Sequence, residues 1–322
     1  MDAYKYCKSR QQRWALDKGL PLIGSKGDRG EPAYTQTLEA NLFEPLSPEA
    51  RCEIEEGDGD ELVEKGGPAK MQAVHSSAAL AVNVFHYWRH QLNLQPISAA
   101  LGLLGEVGVS LGFEAKRPIM DNPDRTIFKT DPNLDVVIQC GPGSRFREIA
   151  IECKFTEPYR PGKPEEKGLK WPYFRERTLW EDIPACREFA ATIKSRDDHF
   201  QYLHAAQLVK HILGLKHRNG KGGFHLVYLW YDAPYEAADR HRQEIAEFQK
   251  IVTADGIAFS ATTFQDAILA LQKDRSGHEK YIDYLVKRYI APDCGPTVDR
   301  PLQYGSMSRP VRQPSTKKGN ET

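Results

Sequence analysis

The residues best suited to chemistry sit in two short segments, Asn133-Leu134-Asp135-Val136-Val137-Ile138 and Ile149-Ala150-Ile151-Glu152-Cys153-Lys154-Phe155. Both read as strands, in which successive side chains point to opposite faces. Ile149, Ile151, Cys153 and Phe155 therefore share one face, and Ala150, Glu152 and Lys154 share the other. On the first strand Leu134, Val136 and Ile138 take the core face and leave Asp135 opposite. Suppose Gly141-Pro142-Gly143-Ser144 turns the chain into an antiparallel hairpin centred between Gly143 and Ser144. Asp135 then lies directly across from Glu152, with Cβ atoms roughly 4.5–5.5 Å apart. A slip of one position would send one set of side chains to the wrong face.

Two carboxylates held this close resist ionising together. A divalent cation removes the conflict, and an oxygen-only donor set suits Mg²⁺ or Mn²⁺. Lys154, on the Glu152 face, is placed to orient or deprotonate an attacking water, or to balance charge on a phosphate. A surface Glu–Lys pair is the bland use of the same residues. The apolar alternation of Ile149, Ile151, Cys153 and Phe155 argues instead for a central strand, where an acid and a lysine are costly without a purpose.

The elements that must position these residues follow from periodicity. A helix is expected from Ala73, with Ala81, Val84, Phe85, Trp88 and Leu92 on one face. A second helix is expected over 98–112, between a Ser98 N-cap and Gly112, with Leu101, Leu104, Gly105, Gly108 and Leu111 as its buried stripe and Glu106 off it. Strands are expected at 113–119, 134–140 and 148–156, then a helix over 199–215 and a strand at 224–231. Helix 237–252, strand 257–263 and helices 264–273 and 278–290 complete an α/β arrangement around one mixed sheet.

At Asp135 and the Glu152-Cys153-Lys154 tripeptide, the sequence resembles the PD-(D/E)XK nuclease superfamily, across roughly residues 73–232. Within it the likeness is to bacterial restriction-endonuclease-like proteins of the PGN_0703 type, supported by the helix through His75-Ser76-Ser77-Ala78 and by Leu103-Leu104-Gly105-Glu106. The residue before Asp135 is Leu134 and not the proline of the superfamily name. The resemblance implies a restriction-endonuclease-like core with a mixed central β-sheet flanked by helices. It implies metal ligation by Asp135 and Glu152, a catalytic role for Lys154, and an auxiliary acid, Glu106, on the first core helix. Gln207, on the helix after the tripeptide, is the expected approach from that side.

The function expected is metal-dependent DNA endonuclease activity of restriction or phage-defence type, with a homodimer as one arrangement open to it. Two other readings use the same fold: a catalytically inactive member that binds nucleic acid or protein, or a nuclease acting on RNA or repair intermediates. Lys163, Lys167, Lys170 and Arg175, interleaved with Trp171, Tyr173 and Phe174, together with Lys210, are candidate DNA contacts, since cations meet phosphates and aromatics stack on bases. His86 and His90 have a zinc-chelating spacing but no glutamate or third ligand by motif. Gly-containing segments near 23–27 and 220–222 lack a P-loop pattern, so no ATP chemistry is expected.

Composition bounds these readings. The chain has 322 residues, of which 44 are basic and 44 acidic. That balance excludes a strongly basic DNA coat but not a local basic stripe. Neither a secretory signal nor a membrane span is visible, and six cysteines without a CxxC pair fit a reduced compartment, so a cytoplasmic location is expected. The organisation expected is a partly acidic, loosely ordered extension over 1–72, a nuclease-like domain over 73–292 and a disordered tail over 293–322.

Overall fold

Five strands build the central sheet: β1 (Gly108–Lys116), β2 (Asn133–Cys140), β3 (Glu148–Lys154), β4 (Phe224–Trp230) and β5 (Phe259–Thr263), hydrogen-bonded in that order. The computed structural model describes residues 2–27, 29–121, 127–160 and 162–290. Helices α1 (Ala3–Asp17), α2 (Pro48–Glu56), α3 (Ser77–Arg89) and α4 (Gln95–Ala100) precede the sheet. Helices α5 (Pro184–Thr192) and α6 (Ala205–Asn219) lie between β3 and β4, and α7 (Glu236–Ala254) between β4 and β5. Helices α8 (Phe264–Lys273) and α9 (Glu279–Leu285) follow. No helix among the described residues is long and apolar enough to cross a membrane.

β1, β2 and β3 pair antiparallel, whereas β3, β4 and β5 pair parallel. Parallel neighbours require long crossovers, which the helices between β3 and β4 and between β4 and β5 supply. The result is the α/β class expected, a mixed sheet flanked by helices. β3 is central, and every residue from Glu148 to Cys153 is buried. Strands covered on both faces read as near-continuous apolar runs, so a charge placed there is conspicuous.

The expected helix over 98–112 is not formed. α4 ends at Ala100, Gly102 and Gly105 take φ of 81° and 91°, and the chain enters β1 at Gly108. Glycine adopts this left-handed conformation without a Cβ penalty, which ends the helix and frees Gly108–Lys116 to pair with β2. Leu104, assigned to the buried stripe, is 80% exposed. In α3 the expected face is buried through Ala81, Val84, Phe85 and Trp88, while Leu92 lies beyond the helix and is exposed.

The extension over 1–72 is also not loosely ordered. α1 buries Cys7, Trp14 and Ala15, and α2 buries Ala50 and Ile54. Arg288 ties this segment to the C-terminal helices: its guanidinium donates to Gln11 Oε1 (3.0 Å), Asn41 O (2.7 Å) and Asn41 Oδ1 (2.6 Å), and lies 4.0 Å from the Trp14 ring centroid. Within the acidic run, Glu53 receives two hydrogen bonds from Arg89 and one from the Phe113 backbone N–H (2.9 Å). That last contact satisfies a donor on the edge strand β1 that would otherwise be open to another chain. The expected disordered tail lies outside the described residues.

Candidate active site

Asp135 and Glu152 meet through strand register. Val136 pairs with Ile151, Val137 with Ala150, Ile138 with Ile149 and Gln139 with Glu148. One further step of the same register sets Asp135 across from Glu152, the pairing that symmetry about the 143–144 turn requires. On the other side of β2, Phe113 pairs with Val136 and Ala115 with Leu134, so Glu114 occupies the position across from Asp135. On β4, Tyr228 pairs with Glu152. Glu114, Asp135, Glu152 and Tyr228 thus form one row across four strands.

The carboxylates are held by neighbours on these strands and on α6. Asp135 Oδ2 accepts the Cys153 N–H at 2.6 Å. Glu152, fully buried, has Oε1 2.5 Å from Lys154 Nζ and Oε2 2.8 Å from His211 Nε2. Glu114 takes φ of 49°, uncommon for a residue with a side chain, and accepts a hydrogen bond from Asn133 Nδ2. A cavity of about 60 Å³ next to them is lined by Glu61, Ser77, Ala78, Phe113, Glu114 and Asp135, among others. The start of α3 and the N-terminal segment therefore close the site from above. A wider groove of about 770 Å³ runs along β1 and shares Glu114 as a wall, with Glu53, Arg89 and Arg117 further along it.

The charges on this row are not independent. Burial raises the Asp135 carboxyl well above the usual range, and the charge of Glu152 raises it further. Burial would also raise Glu152, but Lys154 and His211 outweigh it and hold the carboxyl down at about 2. Burial alone would lower the Lys154 ammonium, yet Glu152 and then Asp135 more than reverse this, so its pKa is raised. Glu114 is pushed up to about 7, first by burial, with Glu61 adding to the effect. One ammonium faces a row of three carboxylates, and the protein meets the deficit by pushing two of them toward neutrality. A divalent cation would meet it instead, and the all-oxygen donor set has the chemistry that suits Mg²⁺ or Mn²⁺, although Glu114, Asp135 and Glu152 do not bring one oxygen each to within 4.8 Å of one another.

Asp135, Glu152 and Lys154 are thus brought together as expected, but Glu106 is not. It lies in the turn before β1, where its Oε2 accepts the Phe146 N–H at 3.3 Å near the hairpin end of the sheet. Gly108 pairs with Cys140 there, five residues along β2 from Asp135. At about 3.3 Å per residue this is roughly 17 Å away. The acid that joins the row is Glu114, hidden from a reading that began the strand at 113 without its register. Gln207 shares a helical face with His211 but hydrogen-bonds His204. Burial, with Lys154 next, lowers His204 to about 4. The residue of α6 that touches the row is His211, through Glu152.

The candidate DNA contacts divide. Lys163, Lys170 and Arg175 are exposed, and Lys210 is half-buried, its pKa lowered by burial and by Lys170. Lys167 is only 8% exposed and donates to the Gln201 carbonyl, so it serves packing rather than a phosphate. Tyr173 is buried against Phe128 with ring centroids 4.8 Å apart. Trp171 remains exposed, with Lys194 Nζ 4.1 Å from its ring centroid. At the zinc-like pair, Glu44 joins His86 and His90. His86 is nonetheless satisfied by the protein itself: Nδ1 meets Glu44 Oε1 at 3.0 Å and Nε2 accepts the Ser47 N–H at 3.1 Å.

A family model described as "Restriction Endonuclease associating with ARP" matches residues 6–290. No curated protein and no solved structure matches the chain. The matched span takes in most of α1, all of α2 and the whole central sheet, so the N-terminal segment falls within the family match.

Proposed function

The chain belongs to the restriction-endonuclease family described as associating with ARP, and from that premise we propose that it is a divalent-metal-dependent DNA endonuclease of restriction or phage-defence type. The observation that carries this reading is the row Glu114, Asp135 and Glu152 with Lys154 beside it. Asp135 and Glu152 would hold Mg²⁺ or Mn²⁺, with Glu114 as a third oxygen donor. The cation would neutralise charge on the scissile phosphate and favour ionisation of the attacking water.

The protein's own groups divide the remaining work. Lys154 is held protonated by Glu152 and Asp135. It therefore orients a water by donating hydrogen bonds and offsets charge on the phosphate, and does not take up a proton in this state. Ile149, Ile151 and Cys153, buried on the opposite face of β3, keep the strand rigid. Lys163, Lys170, Arg175 and Lys210 lie on the segment that leaves β3 for α6, and would contact the DNA backbone. We place the protein in the cytoplasm on the grounds of its proposed substrate and of the free cysteines Cys7, Cys52, Cys140, Cys153 and Cys186 among the described residues.

The test incubates the purified full chain with supercoiled plasmid, linear duplex and single-stranded DNA, and RNA, in Mg²⁺ or Mn²⁺. Supercoiled and linear duplex should be cut, and Asp135→Asn and Lys154→Ala should each lose the activity. Cleavage that survives either substitution overturns the assigned site, and cleavage confined to RNA overturns the substrate.

A further inference from the structure

We infer that His211 is a positioning residue for the metal site, fixing the orientation of the Glu152 carboxylate from α6. The inference rests on the reading of Glu152 as a metal ligand. His211 is 1% exposed, and its Nε2 lies 2.8 Å from Glu152 Oε2. A carboxylate facing a ring nitrogen at this distance is an acceptor, so Nε2 carries the proton. Nδ1 is buried without a hydrogen-bond partner. Nε2 is thus the ring atom through which the protein holds His211, and its partner is Glu152.

That single bond constrains Glu152 in a way the sheet cannot. Strand register fixes where its Cβ lies, but a glutamate keeps rotatable bonds beyond Cβ. Lys154 engages Oε1 from the same strand, and His211 engages Oε2 from the opposite wall. The carboxylate is engaged at both oxygens, Oε1 by Lys154 and Oε2 by His211. His211 holds this position because α6 turns it inward among Leu208, Ile212 and Leu215, all buried. Partners of this kind, which hydrogen-bond a ligand without touching the metal, typically carry about 10–100-fold in metal affinity.

The test is Mn²⁺ titration calorimetry on the full-length wild type, His211→Ala and His211→Gln, with melting temperatures of the metal-free proteins measured alongside. His211→Ala should weaken Mn²⁺ binding by about 10-fold or more. His211→Gln, whose amide can donate to the same oxygen, should recover most of that loss even if its melting temperature does not recover. Equal Mn²⁺ affinity in wild type and His211→Ala overturns the inference, as does a Gln variant no better than Ala. If the wild type itself shows no Mn²⁺ binding that depends on Glu152, the metal reading falls first and this role falls with it.

Discussion

Glu114 and Asp135 stand across from one another on β1 and β2, and both line the small cavity at the start of α3. The pairing matters because Glu114 has the unusual backbone and the raised carboxyl, whereas Asp135 has the sequence signature. Together with Glu152 they place three acids in a row that one lysine cannot neutralise.

Replacing Glu114 should separate stability from metal binding. Glu114→Gln removes a buried like charge, and the metal-free protein should gain about 1 kcal/mol at neutral pH. Its Mn²⁺ affinity should fall severalfold or more. Melting curves in chelator and calorimetric titration read the two effects separately; a variant that loses stability and keeps its affinity would remove Glu114 from the site.

Glu152→Gln should be worse for the fold than Asp135→Asn. Glu152 is the ionised member, and without its charge the buried Lys154 ammonium loses its partner. Breaking a buried pair from one side costs about 3–5 kcal/mol. Asp135 is already driven toward its neutral form, so Asn imitates it closely. Urea denaturation of the two variants should show the larger loss for Glu152→Gln.

Acid should destabilise the protein through buried histidines outside the row of Glu114, Asp135 and Glu152. Burial, as the largest cause, lowers His86 and His225 to about 4 and His241 to about 3. Their unfolded values lie near 6.5. Between those limits the unfolded chain binds more protons, so stability is present above about pH 6.5 and is lost as pH falls toward 4 and 3. The thermal midpoint should drop across this window, and His241→Gln should flatten the slope. An unchanged slope in that variant would contradict the assignment.

The basic residues after β3 should behave as two classes. Lys170→Ala and Arg175→Ala should weaken DNA binding across sequences and each reduce the salt slope by about 1. Lys167→Ala should leave the salt slope alone and lower stability by about 1 kcal/mol, because it removes the donor of the part-buried Gln201 contact. Fluorescence anisotropy over a salt series distinguishes the two.

Removing Arg288 should detach the N-terminal segment. Arg288→Ala leaves Gln11 and Asn41 without their charged donor and uncovers the Trp14 face. The expected cost is roughly 3 kcal/mol. Hydrogen exchange should show α1 opening well before the sheet; uniform exchange across both would place Arg288 outside this role.

Much of the site was legible without a structure, for a specific reason. A strand has a period of two and a hairpin has a centre, so Asp135, Glu152 and Lys154 could be assigned to one face and the first two to one pairing from spacing alone. The sheet class and the expected face of α3 followed from the same periodicities. Glu106 could not be assigned correctly, because Leu101, Leu104, Gly108 and Leu111 fit a helical stripe as well as they fit a turn and a strand. The choice was made by ladder bonds to β2 and by two left-handed glycines. Glu114 enters the row only once β1 has a register, and His211 touches Glu152 only once α6 is packed at one rotation against β3. Lys167 looks like its exposed neighbours until the chain folds over it. Local sequence determines which face of its own strand a residue takes, because that is set by bond geometry. Tertiary structure decides which residues from distant segments share a site, because that depends on packing, and packing is a property of the whole chain.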